Sequence, residues 1–412
     1  MCPGVGIPGP PAPADGHVVS GRGVTFATGF TAGAASAGVK YGRPERLDVA
    51  LVASDRPCVS AGVLTRNQVI AAPCLLTRRH LEGGAVRAIV ANSGNANACT
   101  GEQGERDALT MARAAAAHLG VEAEEVAVAS TGVIGVPLPA DRIATAIAGI
   151  GLTLDGWDAA SRAIMTTDTR PKVSEREIAL GGGIVRIGGI AKGAGMIHPD
   201  MATLLAFITT DAQITQKQLS AALTDAVGES FNAISVDGDT STNDTVLVLA
   251  NGASGVDVAQ HAGAFASGLA AVCRELALAI VADGEGVTKV YEVRVTGAMS
   301  DDEARLAARQ ITDSNLVRTA IHGADPNWGR ILAAAGRSGA RVEAARASVG
   351  IGGVAVFSVG VPASFDAGAV RAHFSRPDVA ITVDLGLGSG TAVAWGADLS
   401  AEYVRINAEY TT

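Results

Sequence analysis

Lys192 and Thr203 both lie in one stretch, AKGAGMIHPDMATLLAFITTDA, residues 191–212. The lysine enters a glycine-rich turn. The threonine precedes the apolar run Leu204 to Ile208, which reads as a buried strand entered from a tight loop. A threonine hydroxyl is a weak nucleophile unless a base takes its proton. No histidine stands beside this one. One arrangement needs none. If the Ala202–Thr203 bond is cut, Thr203 becomes a chain terminus with its own α-amine next to its hydroxyl. Such an amine titrates near ~8, against ~10.4 for a lysine, so a useful fraction is neutral at pH 7. The bland alternative is a threonine that merely opens a β-strand, where threonine is common. The residues alone leave both open.

Other chemistries are poorly served. There is no GxxxxGK[ST], and GGIAKGAGM and DGEGVTK match phosphate loops only loosely. The seven histidines make neither HxH nor HExxH, so no metal site is expected. A GxSxG elbow is absent. DGDTST carries the oxygen ligands of a calcium loop without the closing glutamate. The five cysteines are odd in number and widely spaced, which points to reduced, mostly buried thiols rather than disulfides or zinc.

The elements that must position these residues follow from composition and period. With 412 residues, 48 % of them apolar, the chain can bury a sizeable core. A net charge of -9 argues against nucleic acid and anionic membrane as partners, since both need a basic face, and suits a cytoplasmic location. No run of about 18 apolar residues is free of glycine and charge, so no membrane span is expected. The leader, residues 1–22, has neither a basic n-region nor an apolar h-region and reads as disordered, not as a signal peptide.

LDVALVASD (47–55) and VRAIVANSG (86–94) read as buried strands. EVAVASTGVIG (125–135) reads as a strand running into a Ser-Thr-Gly turn. GERDALTMARAAAAHLG (104–120) reads as a helix stopped at Gly120. Leu219, Leu223 and Val227 share one helical face, and 261–286 reads as a long buried helix. Ser300 with Glu303 forms a capping-box pattern. The stretches around 347–359 and 379–400 look like hairpins with glycine turns. The expected domains are 23–286 and a smaller α+β domain at 287–412.

Several blocks together resemble the ornithine acetyltransferase, or glutamate N-acetyltransferase, family: SGNANACTG (93–101), VASTGVIG (128–135), AIMTTDTRPK (163–172), KGAGMIHPDMATLLAFITTDA (192–212), DGDTSTNDT (237–245), ADGEGVTK (282–289), HGADPNWGR (322–330) and NAEYTT (407–412). The resemblance spans roughly 23 to 412. It implies an α/β sandwich of stacked β-sheets flanked by helices, which periodicity alone would not choose over a doubly wound sheet. It also implies self-cleavage at Ala202–Thr203 into chains 1–202 and 203–412, with Thr203 as N-terminal nucleophile. The implied reaction moves an acetyl group from N2-acetyl-L-ornithine to L-glutamate through an acetyl-Thr203 ester.

By the same resemblance Thr131 and Gly132 supply the oxyanion hole. Thr166, Lys192, Thr203, Glu285, Asn407 and Thr412 bind substrate. Lys192 suits a carboxylate and Glu285 an ammonium. Either could instead be structural: a solvated lysine, a turn-capping glutamate. No resident cofactor is implied, and acetyl-CoA is a candidate co-substrate. The implied assembly is an α2β2 heterotetramer of the cut chains. Three alternatives remain open: a relative in specialised metabolism with another acceptor, a self-processing amidohydrolase or aminopeptidase, and a binding protein without turnover.

Overall fold

Four strands in the first two-thirds of the chain, Val49–Ser54, Ala88–Asn95, Leu205–Thr210 and Thr245–Ala250, are buried at every position rather than at every second one. In the computed structural model, which describes residues 21–39, 45–180, 182–198 and 204–409, those strands are covered on both faces. Two units divide the chain, one holding Gly21–Asn232 and Asp237–Glu285, the other Ala233–Val236 and Gly286–Ala408.

The first unit contains β1 (Phe30–Ala35), β2 (Val49–Ser54), β3 (Val59–Leu64), α1 (Ala72–Glu82), β4 (Ala88–Asn95), α2 (Gly101–Leu119), β5 (Val126–Val133), α3 (Ala140–Ile147) and α4 (Trp157–Ala163). There follow β6 (Lys172–Leu180), β7 (Gly183–Lys192), β8 (Leu205–Thr210) and α5 (Gln216–Gly228). The second unit's short β9 (Ile234–Ser235) intervenes before β10 (Thr245–Ala250) and α6 (Ala262–Val281). One sheet has the order β1-β2-β4-β5, the other β3-β10-β8-β7-β6.

The sheets stack through alternate residues. Ala50, Val52, Ile89, Ala91, Ala127 and Ala129 of the first face Ile190, Leu205, Phe207, Leu247 and Leu249 of the second. The intervening positions Val49, Leu51, Val90, Val126 and Val128 turn outward onto Met111 of α2 and Ile143 of α3. On the far side α5 and α6 cover the second sheet. The result is four layers, helix-sheet-sheet-helix. The expected sandwich is the one observed, because strands apolar on both faces can be satisfied only between two other layers. The residues 258–281 are long and apolar enough to cross a membrane; here they lie on β6 and β7 with Phe265, Leu269, Val272 and Leu276 buried.

Helix ends are set by local chemistry. Gly120 closes α2 at φ 68°, the left-handed conformation in which glycine costs nothing. Thr215 and Gln218 form a reciprocal capping box on α5.

In the second unit β11 (Val290–Ala298), α7 (Asp301–Thr312), α8 (Asn315–His322) and α9 (Trp328–Gly336) precede β12 (Ser348–Ile351), β13 (Val354–Ser358) and β14 (Val361–Pro362). Then come α10 (Ala367–Phe374), β15 (Asp378–Asp384), β16 (Gly390–Ala397) and α11 (Ala401–Glu409). The sheet order is β14-β13-β12-β15-β11-β16-β9. Two expectations fail here. Residues 379–400 are no hairpin: β11 inserts between β15 and β16, parallel to the first and antiparallel to the second. The glycine turn joins two strands that never pair. The capping box is half made. Ser300 accepts the Glu303 N–H, but the Glu303 carboxylate takes the Arg341 N–H instead.

Candidate active site

The SGNANACTG and VASTGVIG blocks meet as neighbouring strands. Thr131 and Gly132 do not form a turn after β5, as the sequence suggested. They lie inside it, opposite Ser93 and Gly94 of β4, and the register slips at Asn95, which faces both Thr131 and Val133. The strand persists because the asparagine-rich partner keeps offering backbone groups. Asn92 is bonded to Ser130 Oγ at 2.6 Å and donates to Asn95 O at 2.9 Å. Asn97 donates to Gly104 O at 2.8 Å. Gly132 has φ 132°, and a Cβ there would stand 2.3 Å from the Gly94 carbonyl carbon. Only glycine fits.

Lys192 ends β7 rather than lying within the turn that follows, and it is buried. Its Nζ donates to Thr131 Oγ1 at 3.2 Å. Burial pulls this ammonium below the ordinary lysine range. Lys172 adds repulsion, and Asp168, Glu285 and Asp244 restore part of the loss. The solvated-lysine alternative is therefore out.

Asp168 organises the neighbourhood. Its Oδ1 accepts the Gly193 N–H at 2.7 Å and its Oδ2 the Thr166 N–H at 2.9 Å. It also pairs with the fully buried Lys172, which reaches Asp283 as well. Burial alone would push the Asp168 carboxyl up. The charges of Lys192 and Lys172, with the Lys172 and Thr166 hydrogen bonds, overcome that and hold it well below the usual carboxylate range. Thr166 is half-buried, and its carbonyl accepts Arg46 Nη2 at 3.3 Å.

Glu285 returns to the same place from the end of α6. Its N–H donates to Ala194 O at 2.9 Å, and a Cβ on Gly195 would stand 2.6 Å from its carboxyl. The structure thus brings together Thr131, Gly132, Thr166, Lys192 and Glu285. Asn407 lies on α11, exposed, with Nδ2 donating to Tyr403 O at 3.1 Å. Ala202, Thr203 and Thr412 lie outside the described residues.

Sequence reasoning missed Asp168, Lys172, Asp283 and Asp244, all inside blocks quoted above. The signal was period two: Lys172 and Ser174 occupy the inward positions of β6, where a lysine must find carboxylates. Asp244, at the head of β10, is buried, and neither carboxyl oxygen has a hydrogen bond among the described residues. Burial raises its carboxyl well above the usual range.

A buried cation, a hydroxyl and an acid are held together at the irregular edge of a doubly covered sheet, a set suited to an enzyme of the acyl-transfer class. The chain belongs to the ArgJ family, whose model matches residues 31–412. It is 51 % identical over 396 residues to the arginine biosynthesis bifunctional protein ArgJ of Symbiobacterium thermophilum, covering 95 % of this chain and 98 % of that one. The protein of the same name from Deinococcus radiodurans is 49 % identical over 394 residues, covering 94 % and 98 %. A solved ornithine acetyltransferase from Mycobacterium tuberculosis, complexed with ornithine, is 43 % identical, covers 44 % of this chain and 96 % of that one, and superposes with a TM-score of 0.39.

Proposed function

We propose that this chain cuts itself at Ala202–Thr203 and then carries an acetyl group from N2-acetyl-L-ornithine to L-glutamate. The Thr203 hydroxyl oxygen attacks the acetyl carbonyl while the freed α-amine takes its proton. The amide C–N bond breaks, the proton passes to the leaving nitrogen, and ornithine departs. Glutamate's amine then attacks the acetyl-Thr203 ester, releasing N-acetylglutamate and restoring the hydroxyl. Thr131 and Gly132 stabilise the oxyanion. Lys192 meets a substrate carboxylate and Glu285 an ammonium, with Thr166, Asn407 and Thr412 completing the contacts. The enzyme works in the cytoplasm as an α2β2 assembly on small amino acids, without nucleic acid, membrane or resident cofactor.

The observation that carries this reading is the Lys192 ammonium at 3.2 Å from the Thr131 hydroxyl, with Glu285 tied to the adjoining Ala194 carbonyl. One fixed cation and one acid beside an oxyanion strand suit a zwitterionic acyl donor. The relatives' own names place them in arginine biosynthesis, where ornithine and glutamate belong.

The test begins with the intact mass of the denatured protein beside Thr203→Ala. Two chains from the wild type and one from the variant are expected. Acetyl transfer is then followed with acetylornithine, with and without glutamate, and with acetyl-CoA as the alternative donor. One uncut wild-type chain sinks the mechanism. Equal acetate release with and without glutamate would make the protein a hydrolase.

A further inference from the structure

Lys192 ends β7 and Glu285 follows α6, so the two charges that grip one substrate in the reading above stand on different elements. The apolar packing that lays α6 on β7 is non-directional and sets no bond between them. The directional bonds come from a third segment, residues 166–172, which leads from α4 into β6. On one side the Asp168 carboxylate accepts the Gly193 N–H at 2.7 Å, on the residue after Lys192. On the other, Asp283, just before Gly284 and Glu285, accepts the Thr169 N–H at 3.0 Å and the Thr169 hydroxyl. Lys172 joins the two sides, its buried ammonium paired with both Asp168 and Asp283.

The segment is itself pinned, and the circuit closes. Arg46 Nη2 donates to Met165 O at 2.7 Å. The Glu285 N–H reaches Ala194 O at 2.9 Å, and glycine at 195 leaves the space that the Glu285 carboxyl fills. One carboxylate would neutralise Lys172. The second ties it to the turn that carries Glu285. Every residue of this circuit belongs to the first unit.

We infer that residues 166–172 are a ruler: with Asp283 they fix the distance between the Lys192 cation and the Glu285 acid, and so select acyl donors by the number of methylenes between carboxylate and ammonium. The inference rests on the substrate roles of Lys192 and Glu285 proposed above. Lys172, Thr169 and Asp283 touch no substrate; they are positioning residues. A donor with one methylene more or fewer meets one charge and leaves the other unmet. An unmet charge in such a site is costly. Supports locked by buried ion pairs resist shifting to meet it.

The test compares kcat/KM of the full protein for three donors, the N2-acetyl derivatives of ornithine, lysine and 2,4-diaminobutyrate, with glutamate as acceptor. These differ only in methylene count. The readout is the ratio between donors. It does not change with the amount of folded enzyme, so a merely structural loss leaves it alone. The wild type should favour acetylornithine over each of the others by about tenfold or more, the scale of one methylene in a fitted site. Asp283→Ala should narrow that preference by about fivefold or more. Thr169→Val, a change at an exposed residue that spares the core, should narrow it less and in the same direction, and Thr169→Ser should restore it. The wild-type ratio in both Asp283→Ala and Thr169→Val overturns the inference, whatever the total activity. So does a wild type that accepts all three donors equally. If Asp283→Ala yields no folded protein, Thr169→Val decides alone by the same criterion. A wild type that transfers acetyl from none of the three sinks the reading of the site, and the ruler with it, before any variant is made.

Discussion

Lys192 Nζ stands 3.2 Å from Thr131 Oγ1 and so joins the end of β7, in one sheet, to the irregular edge of β5, in the other. Elsewhere the two sheets pack largely through apolar side chains such as Phe207 and Ile89. A buried cation at such a seam is costly unless carboxylates face it, and Asp168, Glu285 and Asp244 do. In the proposed function the same cation also meets a carboxylate of the substrate.

Lys192→Met keeps length and burial while removing the charge. Loss of a charged hydrogen bond in such a site typically costs 2–5 kcal/mol, so kcat/KM for acetylornithine should fall on the order of a hundredfold or more. Steady-state kinetics check it. An unchanged kcat/KM would return Lys192 to a purely structural role.

Gly132 has backbone on the side where a Cβ would go, 2.3 Å from the Gly94 carbonyl carbon and 2.5 Å from the Asn95 nitrogen. Neither can swing aside as a side-chain tip would. Gly132→Ala should destabilise the fold by roughly 3 kcal/mol or more, as steric conflict at a special backbone position does. Urea denaturation beside the wild type measures it.

Asp168 and Lys172 form a pair with no exposed surface. Removing one partner of such a pair typically costs about 3–5 kcal/mol, because the other stays buried and charged. Asp168→Ala should therefore lower stability by that order and also free the Thr166 and Gly193 N–H groups. Asp168→Ala with Lys172→Met should recover part of the loss. A double-mutant cycle by denaturant unfolding gives the coupling; additive losses would mean the pair is not energetically linked.

The layers were legible because their signals are local. β2 and the first half of β4 are apolar runs, and α5 shows its buried face in Leu219, Leu223 and Val227. The pairing of β15 and β16 was not, because β11, far upstream, takes the place between them. Thr131 and Gly132 were found through motif resemblance but misplaced as a turn, since the asparagines that extend the ladder sit on another strand. Lys192 and Glu285 were legible as charges. Their burial beside Asp168 and Asp244 was not, because which carboxylates face a lysine depends on contacts between distant strands.

Asp244 has two buried oxygens without a hydrogen bond among the described residues, and burial raises its folded pKa well above 3.8, with the nearby Leu204 N–H, the Thr65 hydroxyl and Lys192 only partly opposing. The folded state then binds a proton more tightly than the unfolded chain. Stability from this group is fully present below the unfolded pKa and declines as pH rises from there through the raised folded value. Asp244→Asn keeps the shape and cannot titrate. The stability difference, wild type minus variant, should therefore fall steadily as pH is raised above about 4. Thermal or urea unfolding of both proteins across pH 4 to about 9 reads this difference, with shared contributions from other groups cancelling. A flat difference would mean that the Asp244 carboxylate finds compensation on ionising.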